Sequence, residues 1–429
     1  MMKVLVISHN PFSKTQNNGK TLEAIFNNYS KDSISQLFFS DLYPDMDYCN
    51  SYFRITDKDV IINTISHKKK FTINFPSGIE PSVKKISFSS SIKRKIQQLP
   101  FVRDLIWILG GWKYKELFRW IEKNKPDYIF FVAGQFSFSH RIACFLSDKY
   151  QLPLVVYFTD DYFINPINRN WLDKFEKLRM EKFYNKTIQK ASLCYAIGSK
   201  MATVYTQYFG KEFHYIMNMV PLNEKLAIKP HEEVIISYFG GLHLNRWKQI
   251  VRLGNAIKKI NRNLVYPVKL YVYSKPLPEE IELSFRGSNV EYKGFISGER
   301  IIDEFSKSDI LLHVESDDTY YKSLTKLSVS TKIPEYISTG RCVLGFGPED
   351  VASMELLNER QIGFIISSSL CDHEINEKLE KFIRDKSLQQ HLSETAYEFA
   401  LDNFDPTKIR QKFNNQITNM LKYWKHVDI

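Results

Sequence analysis

Short apolar runs alternate along this chain with stretches of helical spacing. Lys3–Ser8, Tyr128–Ala133, Leu154–Phe158 and Leu193–Ile197 form a first series, each followed by a helix-length segment. Val234–Phe239, Val268–Tyr273, Asp309–Val314 and Cys342–Phe346 form a second. Strands that are apolar throughout, without polar alternation, are buried on both faces, as in parallel sheets flanked by helices. Between the two series, Pro221–Glu233 is charged and polar, holds two prolines and lacks apolar periodicity. The pattern predicts an α/β chain of two doubly wound, Rossmann-like domains, 1–220 and 234–404, joined by a linker at 221–233. The last stretch, 405–429, opens on Asp405-Pro406 and repeats apolar residues at Ile409, Phe413, Ile417, Leu421 and Trp424. It reads as an added helix that could pack back on the first domain. Sheets of this kind bind ligands beyond the carboxyl ends of their strands, so the cleft between the domains is the expected site.

Composition narrows the class. A chain of 429 residues exceeds a single core, and 43% hydrophobic with 25% charged residues excludes disorder. Cys49, Cys144, Cys194, Cys342 and Cys371 are scattered and form no CxxC pair, which reads as reduced thiols in the cytoplasm. The opening run Val4–Ile7 is too short for a signal-peptide core, and no apolar stretch reaches the roughly 18 residues of a membrane span. A cytoplasmic protein is expected, either free or peripheral on the inner face of the cell membrane.

The formal charge of +11 is concentrated. Residues 68–125 hold fourteen Lys and Arg against four acids, which accounts for ten of those charges. Such a segment attracts polyanions. An anionic membrane surface is the favoured partner, because no nucleic-acid reading element accompanies the charge. Within it, Phe101–Lys115 mixes Leu, Ile and Trp with Arg and Lys. Two readings stand. One is a surface helix half-sunk in lipid with Trp and Lys at headgroup level; the other is a core helix with a basic outer face.

Several chemistries are excluded. Gly19-Lys20-Thr21 looks like the end of a P-loop, but the glycine needed five residues earlier is Lys14. No G-x-G-x-x-G follows a strand, no H-E-x-x-H occurs, and no G-x-S-x-G elbow is present. Glu315, Asp317 and Asp318 read as an exposed acidic loop rather than a metal site.

What remains gathers at strand ends. Gly240-Gly241 follows a strand and Arg246 and Lys248 open a helix, so backbone amides and cations meet where a diphosphate could sit. Ser330, Thr331 and Lys332 precede Glu335 at a second helix start. Hydroxyls and amides there suit phosphate and a carboxylate suits a ribose, although N-capping explains the same pattern. Asp160 and Asp161 leave an apolar strand together, so only one can face a cleft. That one could deprotonate a hydroxyl, and Asp161 is preferred. His9 follows the first strand and is a further candidate base or hydroxyl-orienting group.

Ser330–Gly340, with Cys342-Val343-Leu344 after it, resembles the donor-site helix of GT-B glycosyltransferases, close to the retaining family 4 (group 1). On that resemblance Glu335 takes the second acid of the E-x7-E motif, which binds the donor ribose. Gly240-Gly241-Leu242 and Arg246 resemble the family's phosphate loop, with Arg246 on its lysine position. Asp309–Ser316 is similar to the strand that precedes the motif. Two positions depart: the first acid is Leu327, and the loop arginine is Gly241. Arg246, Lys248 and Lys332 are left to carry the phosphate charge. The family also implies that the loop holding Asn18 and Gly19 approaches donor and acceptor, and that no metal or bound cofactor is needed.

The function this implies is transfer of a sugar from a nucleoside diphosphate sugar, UDP or GDP favoured, to an acceptor hydroxyl. The acceptor would be a glycan or lipid-linked glycan, in bacterial cell-surface polysaccharide synthesis. Two alternatives are a GT-B sugar-nucleotide epimerase and a non-catalytic GT-B-like partner that binds membrane or protein.

Overall fold

The computed structural model describes residues 2–13, 17–66, 100–109, 111–165, 167–168, 170–221, 224–226, 232–298 and 300–427. Most of the basic stretch (68–99) and much of the expected linker (222–223 and 227–231) lie outside them, as does Lys14.

The chain divides into two compact units. The first comprises 1–164, 168–216 and 410–429; the second comprises 165–167 and 217–409. The first unit's strands β1 (Val4–Ser8), β2 (Ile34–Phe38), β3 (Ser51–Arg54), β4 (Tyr128–Ala133), β5 (Leu154–Phe158), β6 (Leu193–Ala196) and β7 (His214–Tyr215) form one parallel sheet in the order β3-β2-β1-β4-β5-β6-β7. Val4 of β1 pairs with Ile34 on one side and Tyr128 on the other. Every residue of β1, β4 and β5 is buried, as the apolar runs require.

The second unit repeats the plan. β8 (Val234–Phe239), β9 (Val268–Tyr273), β10 (Val290–Gly294), β11 (Ile310–Val314), β12 (Cys342–Gly347) and β13 (Phe364–Ser367) run parallel in the order β10-β9-β8-β11-β12-β13. In each sheet the winding reverses beside the first strand, between β1 and β4 and between β8 and β11. Helices leave such a point on opposite faces, so a crevice opens at the carboxyl ends there.

Pro406–Val427 is a single helix whose residues from Arg410 onward belong to the first unit. Phe413 meets Phe26, Phe130 and Tyr195 at ring separations of 6.0, 5.9 and 5.6 Å. Polar contacts fix its register: Tyr29 donates to Asn414 (3.0 Å), Tyr195 to Gln416 (2.8 Å), and Arg410 to the Ala24 carbonyl (2.7 Å). Aromatic pairs of this kind contribute about 0.5–1.5 kcal/mol each beyond burial. Phe413→Leu is therefore expected to cost the first unit about 1–2 kcal/mol, read as a lower denaturant midpoint with an unchanged slope.

Candidate functional site

The second unit's turn after β8 is built from its own side chains. The Tyr238 hydroxyl donates to the Gly241 carbonyl (2.8 Å) and curls the chain back on the strand. A Cβ on Gly241 would stand 2.5 Å from the His243 ring nitrogen, so a side chain there collides. Leu244 and Asn245 follow, both with φ +60°. Left-handed non-glycine residues cost on the order of 1–3 kcal/mol each and concentrate where the surrounding fold enforces a shape. The reversal launches the helix Arg246–Ile260, whose N-cap Asn245 makes no side-chain bond to the first-turn amides.

Arg246 turns inward. One of its terminal nitrogens lies 3.1 Å from Glu315, which follows β11, and the same carboxylate lies 3.1 Å from His313 Nε2. Glu315 is buried rather than part of an exposed loop; only Asp317 is exposed, while Asp318 caps the helix Thr319–Thr325 by accepting from the Tyr320 and Tyr321 amides. Burial alone would raise the Glu315 pKa, but the Arg246 charge and the His313 hydrogen bond outweigh it and hold it at about 2. Arg246 Nε is buried without a partner among the described residues. The pair thus bridges β8 and β11, at the reversal of the second sheet. Lys248 is exposed on the first turn.

The helix Lys332–Ile337 reaches the same strand end. The Tyr336 hydroxyl accepts from the Phe239 amide (3.1 Å) and donates to the Phe239 carbonyl (3.2 Å). Phe239 is the last residue before Gly240, so one buried phenol ties this helix to the glycine turn. Lys332 Nζ stands 2.7 Å from Glu335 Oε2, both half-buried. Ser330 accepts from the Lys332 amide (3.3 Å), and its own amide donates to Ser353 (3.0 Å). Thr331 is exposed and makes no side-chain cap. Leu327 is buried, leaving no carboxylate at that position.

In the first unit the adjacent acids separate as expected of neighbours leaving a strand. Asp161 is buried, and its Oδ1 accepts from the Phe163 and Ile164 amides (3.1 and 2.9 Å) and the Tyr205 hydroxyl (3.0 Å). Those bonds hold the turn after β5. Asp160 is half-buried and accepts from Thr159 and Tyr162 (3.1 Å each). Its burial raises its pKa, against the pull of those two hydroxyls.

His9 follows β1 at the reversal of the first sheet. It is exposed, with its ring 5.8 Å from that of Phe136. Desolvation, then the Arg103 charge, lowers its pKa to about 4, which leaves it neutral near pH 7. Asn18 and Gly19 lie in the helix Asn17–Phe26, not in a loop. Gly19 is buried, and a Cβ there would meet the Pro11 carbonyl at 2.5 Å. The Asn18 side chain is outside the described residues.

Phe101–Lys115 belongs in part to the core. Trp107 stacks on Phe138 (4.0 Å, 15°) and donates to Asp57 (2.7 Å), and Trp112 is buried too, so neither ring stands at a headgroup level. Among the described residues no group of His, Cys, Asp and Glu is placed to hold a metal ion. No helix among them is long and apolar enough to cross a membrane.

Residues 252–414 match a family of sequences described as glycosyl transferase-like. The match begins after Arg246 and includes Ser330–Glu335. No curated protein is similar enough in sequence to match the chain. Solved structures are similar over nearly the whole length. Anabaena HepE, solved with UDP and glucose, aligns at TM-score 0.61 and 14% identity, covering 98% of this chain and 100% of that one. Sucrose-phosphate synthase from Thermosynechococcus elongatus aligns at 0.64 and 11%, covering 99% and 100%. A Staphylococcus aureus TarM mutant, solved with fondaparinux, α-GlcNAc-glycerol and UDP, aligns at 0.59 and 10%, covering 97% and 99%. The chain has the GT-B fold, and its second half carries a glycosyl transferase-like domain.

Proposed function

We propose that this glycosyl transferase-like chain moves a sugar from a nucleoside diphosphate sugar to the hydroxyl of a glycan or lipid-linked glycan, in the synthesis of a bacterial surface polysaccharide. The observation that carries the reading is the Tyr336–Phe239 tie. It joins the helix bearing Glu335 to the turn bearing Gly240 and Gly241, which supports reading the two as one site for a ribose and a diphosphate. UDP is the favoured nucleotide, because HepE and TarM were both solved with it.

In this account Glu335 holds the ribose hydroxyls. The Gly241 amide, the uncapped start of the Arg246 helix, and Lys332 meet the diphosphate, with Ser330, Thr331 and Lys248 at its edge, while the Gly240 amide donates to the Tyr273 carbonyl (3.1 Å) and anchors the turn to the sheet. Arg246 acts from below. Glu315 fixes its guanidinium, so its field is set in advance rather than paid for on binding. Asp160 takes the acceptor proton in preference to Asp161, whose oxygen is occupied by the turn. His9 orients the acceptor as a neutral hydrogen-bonding group. With Leu327 in place of the motif's first acid, the transferred sugar loses one carboxylate contact, and the stereochemical course is set by other groups.

Thermal unfolding with UDP, GDP, ADP, TDP and CMP tests the donor half. A ligand at about a hundred times its dissociation constant stabilises the fold by about 2.7 kcal/mol. One nucleoside diphosphate should raise the midpoint, and Glu335→Ala should remove most of that rise. A rise that survives Glu335→Ala would move the ribose elsewhere, and no rise with any nucleotide would refute the site.

A further inference from the structure

The turn after β8 holds a glycine where its backbone does not require one. Gly241 has no left-handed φ, so its conformation is open to any residue. One neighbour excludes a side chain. The atoms nearest a Cβ at that position are Nδ1, Cε1 and Cγ of His243, at 2.5, 2.8 and 3.8 Å. The glycine therefore makes room for an imidazole, which lies against it.

The fold sets that ring in place. Leu244 and Asn245, both left-handed, reverse the chain within two residues, and the Arg246 amide donates to the His243 carbonyl (3.5 Å). Tyr238 fixes Gly241 itself through the carbonyl. Yet the ring holds nothing together. Neither of its nitrogens has a hydrogen-bond partner among the described residues, and His243 is exposed in the turn at the carboxyl end of β8. A packing histidine would be buried, and a capping one would be bonded.

Its surroundings set its charge. Desolvation, then the Arg246 charge, lowers the His243 pKa, and Glu315 opposes them. The ring is therefore neutral near pH 7 in the free protein. A bound anion would reverse that balance and draw a proton on to it.

We propose that His243 is a ligand of the donor diphosphate, donating a ring N–H to a non-bridging phosphate oxygen beside Gly241 and taking up one proton from solvent as the nucleotide binds. When the bond between sugar and diphosphate breaks, its electron pair stays on the phosphate oxygen, and the imidazolium is already there to oppose that charge. The assignment rests on the reading of this turn as the diphosphate site. It adds a cation in contact, whereas Arg246 is held back by Glu315.

Isothermal titration of the full chain with UDP and with GDP, in buffers of different ionisation enthalpy, tests it. The nucleotide's terminal phosphate titrates in the same range, so the readout is the difference between wild type and His243→Gln. Wild type should bind about tenfold more tightly than His243→Gln near pH 6 and by little more near pH 8, and near pH 6–7 should take up about one proton more per nucleotide. Gly241→Ala, which drives the ring off the turn, should give the same loss and also lower the unfolding midpoint. Adding His243→Ala to it should restore the midpoint but not the affinity, an outcome that a merely structural ring would not give. Equal affinity and proton uptake in wild type and His243→Gln at every pH would overturn the proposal, and so would a Gly241→Ala chain that binds as wild type does. Glu335→Ala reports separately on the donor reading. If it abolishes binding while His243→Gln changes nothing, the site stands without His243; if wild type binds neither nucleotide, both fall.

Discussion

Asp160→Asn is expected to slow transfer by about 10²–10⁴-fold while nucleotide binding stays unchanged. The replacement keeps the size of the side chain and an oxygen for Thr159 and Tyr162 to donate to, and removes only the capacity to take a proton. The pH profile gives the sign. Burial raises the Asp160 pKa, so the ionised, active form is lost earlier on acidification than for an ordinary aspartate. The rate should fall as pH drops through that raised value, and Asp160→Asn should flatten this limb. Asp161→Asn should behave differently, because Asp161 holds the turn through Phe163, Ile164 and Tyr205. Its effect should appear first as a lower unfolding midpoint. If Asp160→Asn keeps its rate and His9→Ala abolishes it, the proton goes to His9 instead.

Glu315→Ala should destabilise the second unit by about 3–5 kcal/mol, since removing one partner leaves Arg246 charged and buried without its counter-ion. Denaturant unfolding at neutral pH measures it. The sign with pH follows from the carboxyl, which is held at about 2 in the fold against an ordinary 4.5. A depressed pKa confers stability that is present above the unfolded value and disappears as pH falls through the folded one. The gap between wild type and Glu315→Ala should therefore narrow between about pH 4.5 and pH 2. A gap that does not change with pH would mean the side chain matters for packing, not charge. Glu315→Gln, which keeps the hydrogen bonds, should fall between the two.

Much of the fold was legible because parallel strands buried on both faces leave unbroken apolar runs. Eight such runs became β1, β4, β5, β6, β8, β9, β11 and β12. Among the strands left unread, β2 is buried without being apolar throughout. β2 contains Ser35 and Gln36, both buried; Ser35 donates to the Val4 carbonyl, and Gln36 accepts from the Phe12 amide and donates to Ser8. Those internal bonds cancel the desolvation cost that a pattern of residue types assumes. β10 is an edge strand with exposed Glu291 and Lys293, and β3 and β13 are only four residues long.

The site divides along the same line. Glycines after a strand and hydroxyls before a helix are local signals, and both could be read. The charge on Glu315 could not be placed, because its environment is made by Arg246, sixty-nine positions away. A trace was present: His313 and Glu315 alternate at the end of an apolar strand, two polar groups on one side of a core element. The sequence reading prefers Asp161 to Asp160, but the difference between them lies in which one the following turn engages, and that is Asp161. Nothing local in the sequence sets Tyr336, the phenol that joins helix to strand, apart from a core aromatic.

The central claim is a transfer, so its most direct test follows both products. The full chain is incubated with UDP- and GDP-sugars and a lipid-linked glycan acceptor, and released nucleotide and acceptor mass are measured together. The account predicts nucleoside diphosphate released in proportion to acceptor gaining one sugar, from one donor, lost in Asp160→Asn and Glu335→Ala. A donor converted to an isomeric nucleotide sugar without acceptor would make the chain an epimerase. A donor bound and left intact would make it a binding partner, and either result would contradict the account.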